Sequence, residues 1–114
     1  MEDCIFCKIV KKQIPCEIIY EDDSVIGFKD ISPQAPVHVI IIPKVHISNI
    51  NDISEDESGV IGHIFIAAKK IAKDLGISET GYRIVSNCGE NGGQTVQHIH
   101  FHLLGGRMLK WPPG

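Results

Sequence analysis

Apolar side chains at Ile5, Phe6, Ile9 and Val10 follow the i, i+1, i+4, i+5 spacing of one helix face and predict a short amphipathic helix within residues 4–12, stopped ahead of Pro15. Two short β-rich stretches follow, residues 17–20 and 25–28, and the acidic Glu21-Asp22-Asp23 between them predicts a hairpin. Pro33 and Pro36 then break the chain, because a residue without an N–H cannot continue a central strand. Residues 37–42 are nearly all apolar, which predicts a third strand covered on both faces.

A longer helix is marked at both ends. Ser54 with Glu57 three residues on forms a capping box, and Gly76 is its C-terminal cap. Between them Ile61, Ile64, Phe65, Ala68, Ile71, Ala72 and Leu75 make one apolar stripe, expected to face the core. Residues 82–86 and 99–104 read as two more strands, joined by the polar, glycine-bearing stretch 87–94. The 114 residues fit one domain, 1–114, and the 20 Ile and 8 Val against 4 Leu favour sheet over helical bundle.

Charge narrows the partners. A net charge of −3 with 11 scattered Lys and Arg makes no basic stripe, so nucleic acid is not an expected ligand. No apolar run exceeds five residues and the chain opens Met1-Glu2-Asp3, so a membrane association is not expected and a cytoplasmic location is. In that reducing compartment Cys4, Cys7, Cys16 and Cys88 are not expected to form structural disulfides. The pair Cys4-Ile5-Phe6-Cys7 is open between a redox couple, half of a zinc site and coincidence, while Cys16 and Cys88 read as ordinary small residues.

Three of the six histidines lie in His98-Ile99-His100-Phe101-His102. A strand's period of two puts these rings on one face, with Ile99, Phe101 and Leu103 on the other. His98 and His102 would then be roughly 13 Å apart along the backbone, too far to share one metal. His63 falls on the long helix and is expected at a surface or interface.

The triad followed by Leu103-Leu104 resembles the signature of the histidine triad (HIT) superfamily. Residues 30–38 (DISPQAPVH), residues 42–48 (IPKVHIS), Gly92-Gly93-Gln94-Thr95-Val96 and the terminal Trp111-Pro112-Pro113-Gly114 extend the likeness to the Hint branch over essentially the whole chain. The resemblance implies an α+β fold with one long and one short helix, a five-stranded antiparallel sheet per subunit, and two sheets joined across a homodimer. It also implies hydrolysis of purine nucleoside phosphoramidates carrying an AMP or GMP moiety. By the family's pattern His100 attacks the α-phosphorus, His102 and His38 serve the phosphoryl group, and Thr95 stands where the family often has serine. Asp30 resembles the ribose ligand, Asn87 and the backbone of Gly93 the phosphate or ribose contacts, and Ile5, Phe6, Ile9, Phe28 and Ile31 the walls around the base. The chemistry agrees, since a neutral imidazole attacks phosphorus near pH 7 and then leaves readily.

Histidine triad proteins that keep the N-terminal Cys-x-x-Cys resemble zinc binders, which makes Cys4, Cys7, His46 and His98 the implied ligand set for a structural Zn2+. Three other readings stay open: a dinucleoside polyphosphate hydrolase, whose branch usually lacks the terminal Trp-Pro-Pro-Gly; a non-catalytic nucleotide- or zinc-binding partner protein; and a zinc hydrolase using His98 and His100 together.

Overall fold

Alternation along the central strand separates two apolar layers. In β3 (Val37–Pro43), Val37, Val39 and Ile41 join one core cluster while Ile40 and Ile42 join the other, as a period of two requires. The computed structural model describes residues 3–114; Met1 and Glu2, which entered the expectation about the amino terminus, lie outside the described residues. Around β3 run β1 (Ile18–Glu21), β2 (Val25–Lys29), β4 (Tyr82–Val85) and β5 (Phe101–Gly105) in the spatial order β1-β2-β3-β5-β4, every neighbouring pair antiparallel. The expected α+β fold with five antiparallel strands is present.

The long helix α2 (Ser58–Asp74) covers one face of the sheet, and the short α1 (Ile5–Val10) packs Phe6 and Ile9 against Ile26, Phe28, Ile40 and Ile42 on the other. A 3-10 turn, Glu55–Glu57, precedes α2, and the capping box between Ser54 and Glu57 forms as expected. The buried stripe of α2 is Ile64, Ala67, Ala68, Ile71 and Ala72. Phe65, expected in that stripe, is 47% exposed instead. It sits one residue round the helix from Ile64 and meets Phe101 ring to ring, 5.7 Å between centres, whereas Ala67 is fully buried in the core. Small residues draw the layers together: a Cβ at Gly27 would stand 3.1 Å from Ile71 Cδ1.

His63, half-buried at the surface, ties α2 to the β1–β2 turn, its Nε2 2.6 Å from Asp22 Oδ2. Asp22 also accepts from Tyr20 and from the N–H groups of Ser24 and Val25. Burial works against that carboxylate, but these donors together hold it well below the usual carboxylate range.

Element ends differ from the sequence reading in places that matter. The hairpin strands start and stop within a residue of expectation, but β5 begins at Phe101, not at residue 99. The ladder to β3 ends with the Ile41–Phe101 pair, so residues 98–100 leave the sheet. Residues 87–94, expected as loop, contain the single-turn α3 (Gly89–Gly92), closed by Gly93 in the left-handed conformation at φ 81°. Among the described residues no helix is long and apolar enough to cross a membrane.

Candidate active site and metal centre

Register brings the first histidines together. Ile40 of β3 pairs with His102 of β5, so His38, two residues away on the same face, is its diagonal neighbour. The His38 Nε2 to His102 Nδ1 distance is 2.9 Å. The backbone N–H of Gln34 donates to His38 Nδ1 at 3.0 Å, so that nitrogen carries no proton and the ring's single proton is on Nε2. From there it donates to His102 Nδ1, with the Asp30 carboxylate 3.3 Å away on the same side. His102 is left with its proton on Nε2. One backbone amide in the 30–36 turn thereby fixes the proton on a ring 68 residues further along the chain.

Burial lowers the pKa of both rings. For His38 burial outweighs the attraction of Asp30; His102 is pushed down to about 4 by burial, then by the neighbouring rings of His100 and His38, against a smaller opposing pull from Asp30. Both are neutral at pH 7. Below 6.5, the ordinary histidine value, the unfolded chain takes up protons that these folded rings refuse, so the fold loses stability as pH falls from about 6.5 toward 4. Urea unfolding midpoints should decline across that window, ahead of the carboxylate-driven loss at lower pH. A flat profile there would contradict the neutral network.

His100 is 4% exposed, and its Nδ1 lies 2.8 Å from the carbonyl oxygen of His98. A carbonyl can only accept, so Nδ1 carries the proton and Nε2 keeps a free lone pair. Ser86 Oγ donates to the carbonyl of His100 at 2.8 Å, and Phe6 sets its edge against the imidazole, centre to centre 5.0 Å. The His100 and His102 rings are 5.2 Å apart. A lone pair on one ring and an N–H on the next therefore serve one small region of the sheet face.

A second cluster joins three distant parts of the chain. Cys4 Sγ and Cys7 Sγ lie 3.3 and 3.6 Å from His98 Nδ1, Cys7 Sγ is 3.3 Å from His46 Nδ1, and the two imidazole nitrogens are 3.2 Å apart. His98 donates its other nitrogen's proton to the Pro43 carbonyl at 2.9 Å, which leaves Nδ1 as a lone pair aimed into the cluster. Burial, then the adjacent Cys4, pushes the Cys7 thiol up. Two thiols and two ring nitrogens converging this closely can hold a metal ion.

Residues 11–109 match the HIT domain family. The chain belongs to the HIT family. It is 50% identical over 108 residues, 95% of this chain and 91% of the relative, to the purine nucleoside phosphoramidase of Escherichia coli K12. An uncharacterised HIT-like protein of Synechococcus elongatus is 50% identical over 113 residues, 99% of this chain and 98% of that one. A HIT family hydrolase from Legionella pneumophila superposes with a TM-score of 0.96 at 53% identity, covering 98% of this chain and 100% of the other.

In this HIT protein His98 groups with Cys4, Cys7 and His46, and His102 with Asp30 and His38, while His100 stands between them on a segment that has left the strand expected to carry all three rings. Thr95 is exposed and, with Ile5, Cys4 and His46, lines a cavity of about 460 Å3 beside the metal cluster. Phe6, Ile9 and Phe28 are buried core residues, whereas Ile5 is 46% and Ile31 96% exposed. Asn87 is half-buried and Gly93 exposed. A cavity of about 630 Å3 between Ile77, Tyr82, Arg83 and Arg107 contains none of the histidines, so chemistry rather than volume selects the site.

The sequence assigns no role to Gln94 or Ser86. Buried Gln94 accepts from the Gly89 N–H and donates to the carbonyls of Ser48 and Val96, fastening the glycine loop to the segment after His46. A glutamine inside a glycine-rich loop was the available signal. For Gln34, which acts through its backbone, the sequence holds none.

Proposed function

We propose that this HIT protein, as one domain over residues 1–114, hydrolyses purine nucleoside 5′-monophosphoramidates through a nucleotidyl-histidine intermediate. The observation that carries the reading is the protonation of His100, with Nδ1–H bound to the His98 carbonyl and Nε2 free. Nε2 attacks the α-phosphorus, the bond from phosphorus to the amine nitrogen breaks, and the amine departs with a proton taken from solvent, which the later attack of water returns. Water then cleaves the new phosphorus–Nε2 bond, releasing the nucleoside monophosphate and restoring His100. The Nε2–H of His102, set through His38, donates to a phosphoryl oxygen, and the Thr95 hydroxyl adds a donor for the phosphate or leaving group, whereas the Gly93 N–H is taken by the Glu90 carbonyl at 3.0 Å and that residue serves by shaping the loop.

Asp30 keeps carboxylate lone pairs for the ribose hydroxyls while Oδ1 accepts from the Ser32 N–H at 2.7 Å, and Asn87 assists on that side. Ile5 and Ile31 offer exposed apolar walls for the base beside buried Phe6, Ile9 and Phe28. Turnover of a panel of purine and pyrimidine phosphoramidates against dinucleoside polyphosphates tests the reading. Purine phosphoramidates should have the highest kcat/KM; faster cleavage of the polyphosphates would overturn it.

For Cys4, Cys7, His46 and His98 we propose a structural Zn2+. Tetrahedral zinc with bonds of about 2.0–2.1 Å to nitrogen and 2.3 Å to sulfur has edges near 3.4 Å between nitrogens and 3.6 Å between nitrogen and sulfur. The observed separations of 3.2 Å and of 3.3 to 3.6 Å fit that ion. Four protein ligands fill a tetrahedron, so the ion supplies cross-linking of the chain and leaves no position for substrate.

We propose further that the protein is a cytoplasmic homodimer whose C-terminal tail serves the partner's active site. Edge strand β4, the half-exposed Phe65 and Ile66, and Trp111 at 81% exposure support a second copy as their cover. Removing residues 109–114 should alter discrimination among leaving amines more than among bases. Light scattering that reports a stable monomer at micromolar concentration, or unchanged amine specificity, would contradict it.

A further inference from the structure

His98 belongs to the metal cluster through its ring and to the active site through its backbone. Its Nδ1 faces Cys4, Cys7 and His46, while its carbonyl oxygen accepts the Nδ1 proton of His100 at 2.8 Å. A second link runs through Phe6, which stands between the two cysteines in sequence and sets its ring edge against both imidazoles, 6.0 Å from His98 and 5.0 Å from His100.

Sheet pairing does not do this holding. The β3–β5 ladder ends at Phe101, and residues 98–100 run beyond it, fastened by Ile99 N–H to the Ile47 carbonyl at 2.6 Å, His98 Nε2–H to the Pro43 carbonyl and Ser86 to the His100 carbonyl. The four ligand atoms that converge there come from the start of α1, the segment after β3 and the segment that carries His100, so an ion held by them would add the remaining restraint. It also meets the cavity of about 460 Å3 lined by Cys4 and His46, which gives a chelator or a metal donor access.

We propose that the metal centre positions the nucleophile: metal-held His98 is a positioning residue, and it fixes the tautomer and direction of the His100 ring through its carbonyl, with Phe6 as the second support. This rests on the assignments of His100 as nucleophile and of the Cys2His2 set as a zinc site. The ion takes no part in bond making. Its occupancy sets how much of the population holds the His100 ring in the aimed orientation, so metal supply regulates turnover from outside the substrate pocket.

The test compares full-length protein loaded with zinc, depleted by chelator and reloaded with zinc or cadmium. Metal content, AMP affinity, kcat on a purine nucleoside phosphoramidate and the two-bond 15N–1H imidazole spectrum are followed together. Depletion should lower kcat about tenfold or more, leave AMP affinity within about twofold and convert the single His100 Nδ1–H tautomer into a mixture. Either ion should restore both signals. Should depletion unfold the chain, His46→Ala, which keeps His98 and both cysteines, carries the same comparison. Metal loss with an unchanged His100 spectrum and unchanged kcat would overturn the coupling alone. Failure to bind zinc at all would overturn the metal assignment and the coupling with it, while full turnover by a His100→Ala variant would overturn the nucleophile. Rates that follow the Lewis acidity of the ion, with no nucleotide found on His100, would favour a zinc hydrolase instead.

Discussion

Replacing His100 with alanine is expected to abolish turnover, lowering kcat by about a thousandfold or more, with nucleotide affinity and the fold largely kept. The substitution removes the one free imidazole lone pair that the His98 carbonyl leaves on Nε2, and no other group beside it is a comparable nucleophile at pH 7. His38 and His102 are spent on the chain of hydrogen bonds that begins at the Gln34 N–H, and burial keeps both below the ordinary histidine pKa. Phe6 loses an edge contact, so a small fall in thermal stability should accompany the change. Steady-state rates with AMP affinity measured in parallel decide it. More than about a hundredth of the wild-type kcat is too much activity for a missing nucleophile.

Stripping the metal is expected to have the largest effect on stability. Side chains from the start of α1, from the segment after β3 and from the segment before β5 lie close enough together to hold one ion, and the unfolded chain has no such preformed site. At zinc a thousandfold above its Kd the linkage is worth about 4 kcal/mol. For a chain of this size each kcal/mol moves Tm by roughly 4 °C, so depletion should cost about 15 °C. Cys4→Ser with Cys7→Ser should reproduce the loss and abolish the response to chelator. A Tm that ignores both treatments in protein prepared with zinc would sink the site.

Local pattern revealed the elements that bury a stripe or an alternating face. The continuous run of β3 announced a strand covered on both sides, and the Ser54–Glu57 box and Gly76 bracketed the long helix, because caps and periodicity are properties of neighbouring residues. Phe65 lies outside the buried stripe because apolar spacing does not say which margin the sheet reaches; Ala67, Ala68 and Ile71 take the buried side, and Ile71 is the residue that closes on Gly27. The alternation of His98, His100 and His102 was legible, while the departure of residues 98–100 from the ladder was not, because register depends on where β3 stops. Separation along the chain suggested only that His98 and His102 would not share one metal, and the placing of His98 with Cys4, Cys7 and His46 came from the family resemblance. What settles their protons is invisible in side-chain identity: the amide of Gln34 and the carbonyls of His98 and Pro43 are main-chain groups that any residue would bring.

Turnover through His100 requires a covalent bond between substrate phosphorus and one imidazole. Mixing the enzyme with a purine nucleoside phosphoramidate, quenching within a single turnover under conditions that preserve phosphorus–nitrogen bonds, and mapping the adduct by peptide mass spectrometry tests that bond directly. One nucleoside monophosphate on His100 is the predicted result, absent from His100→Ala and decaying with the rate of product release. Full product formation in the same interval with an unmodified His100 peptide would contradict it.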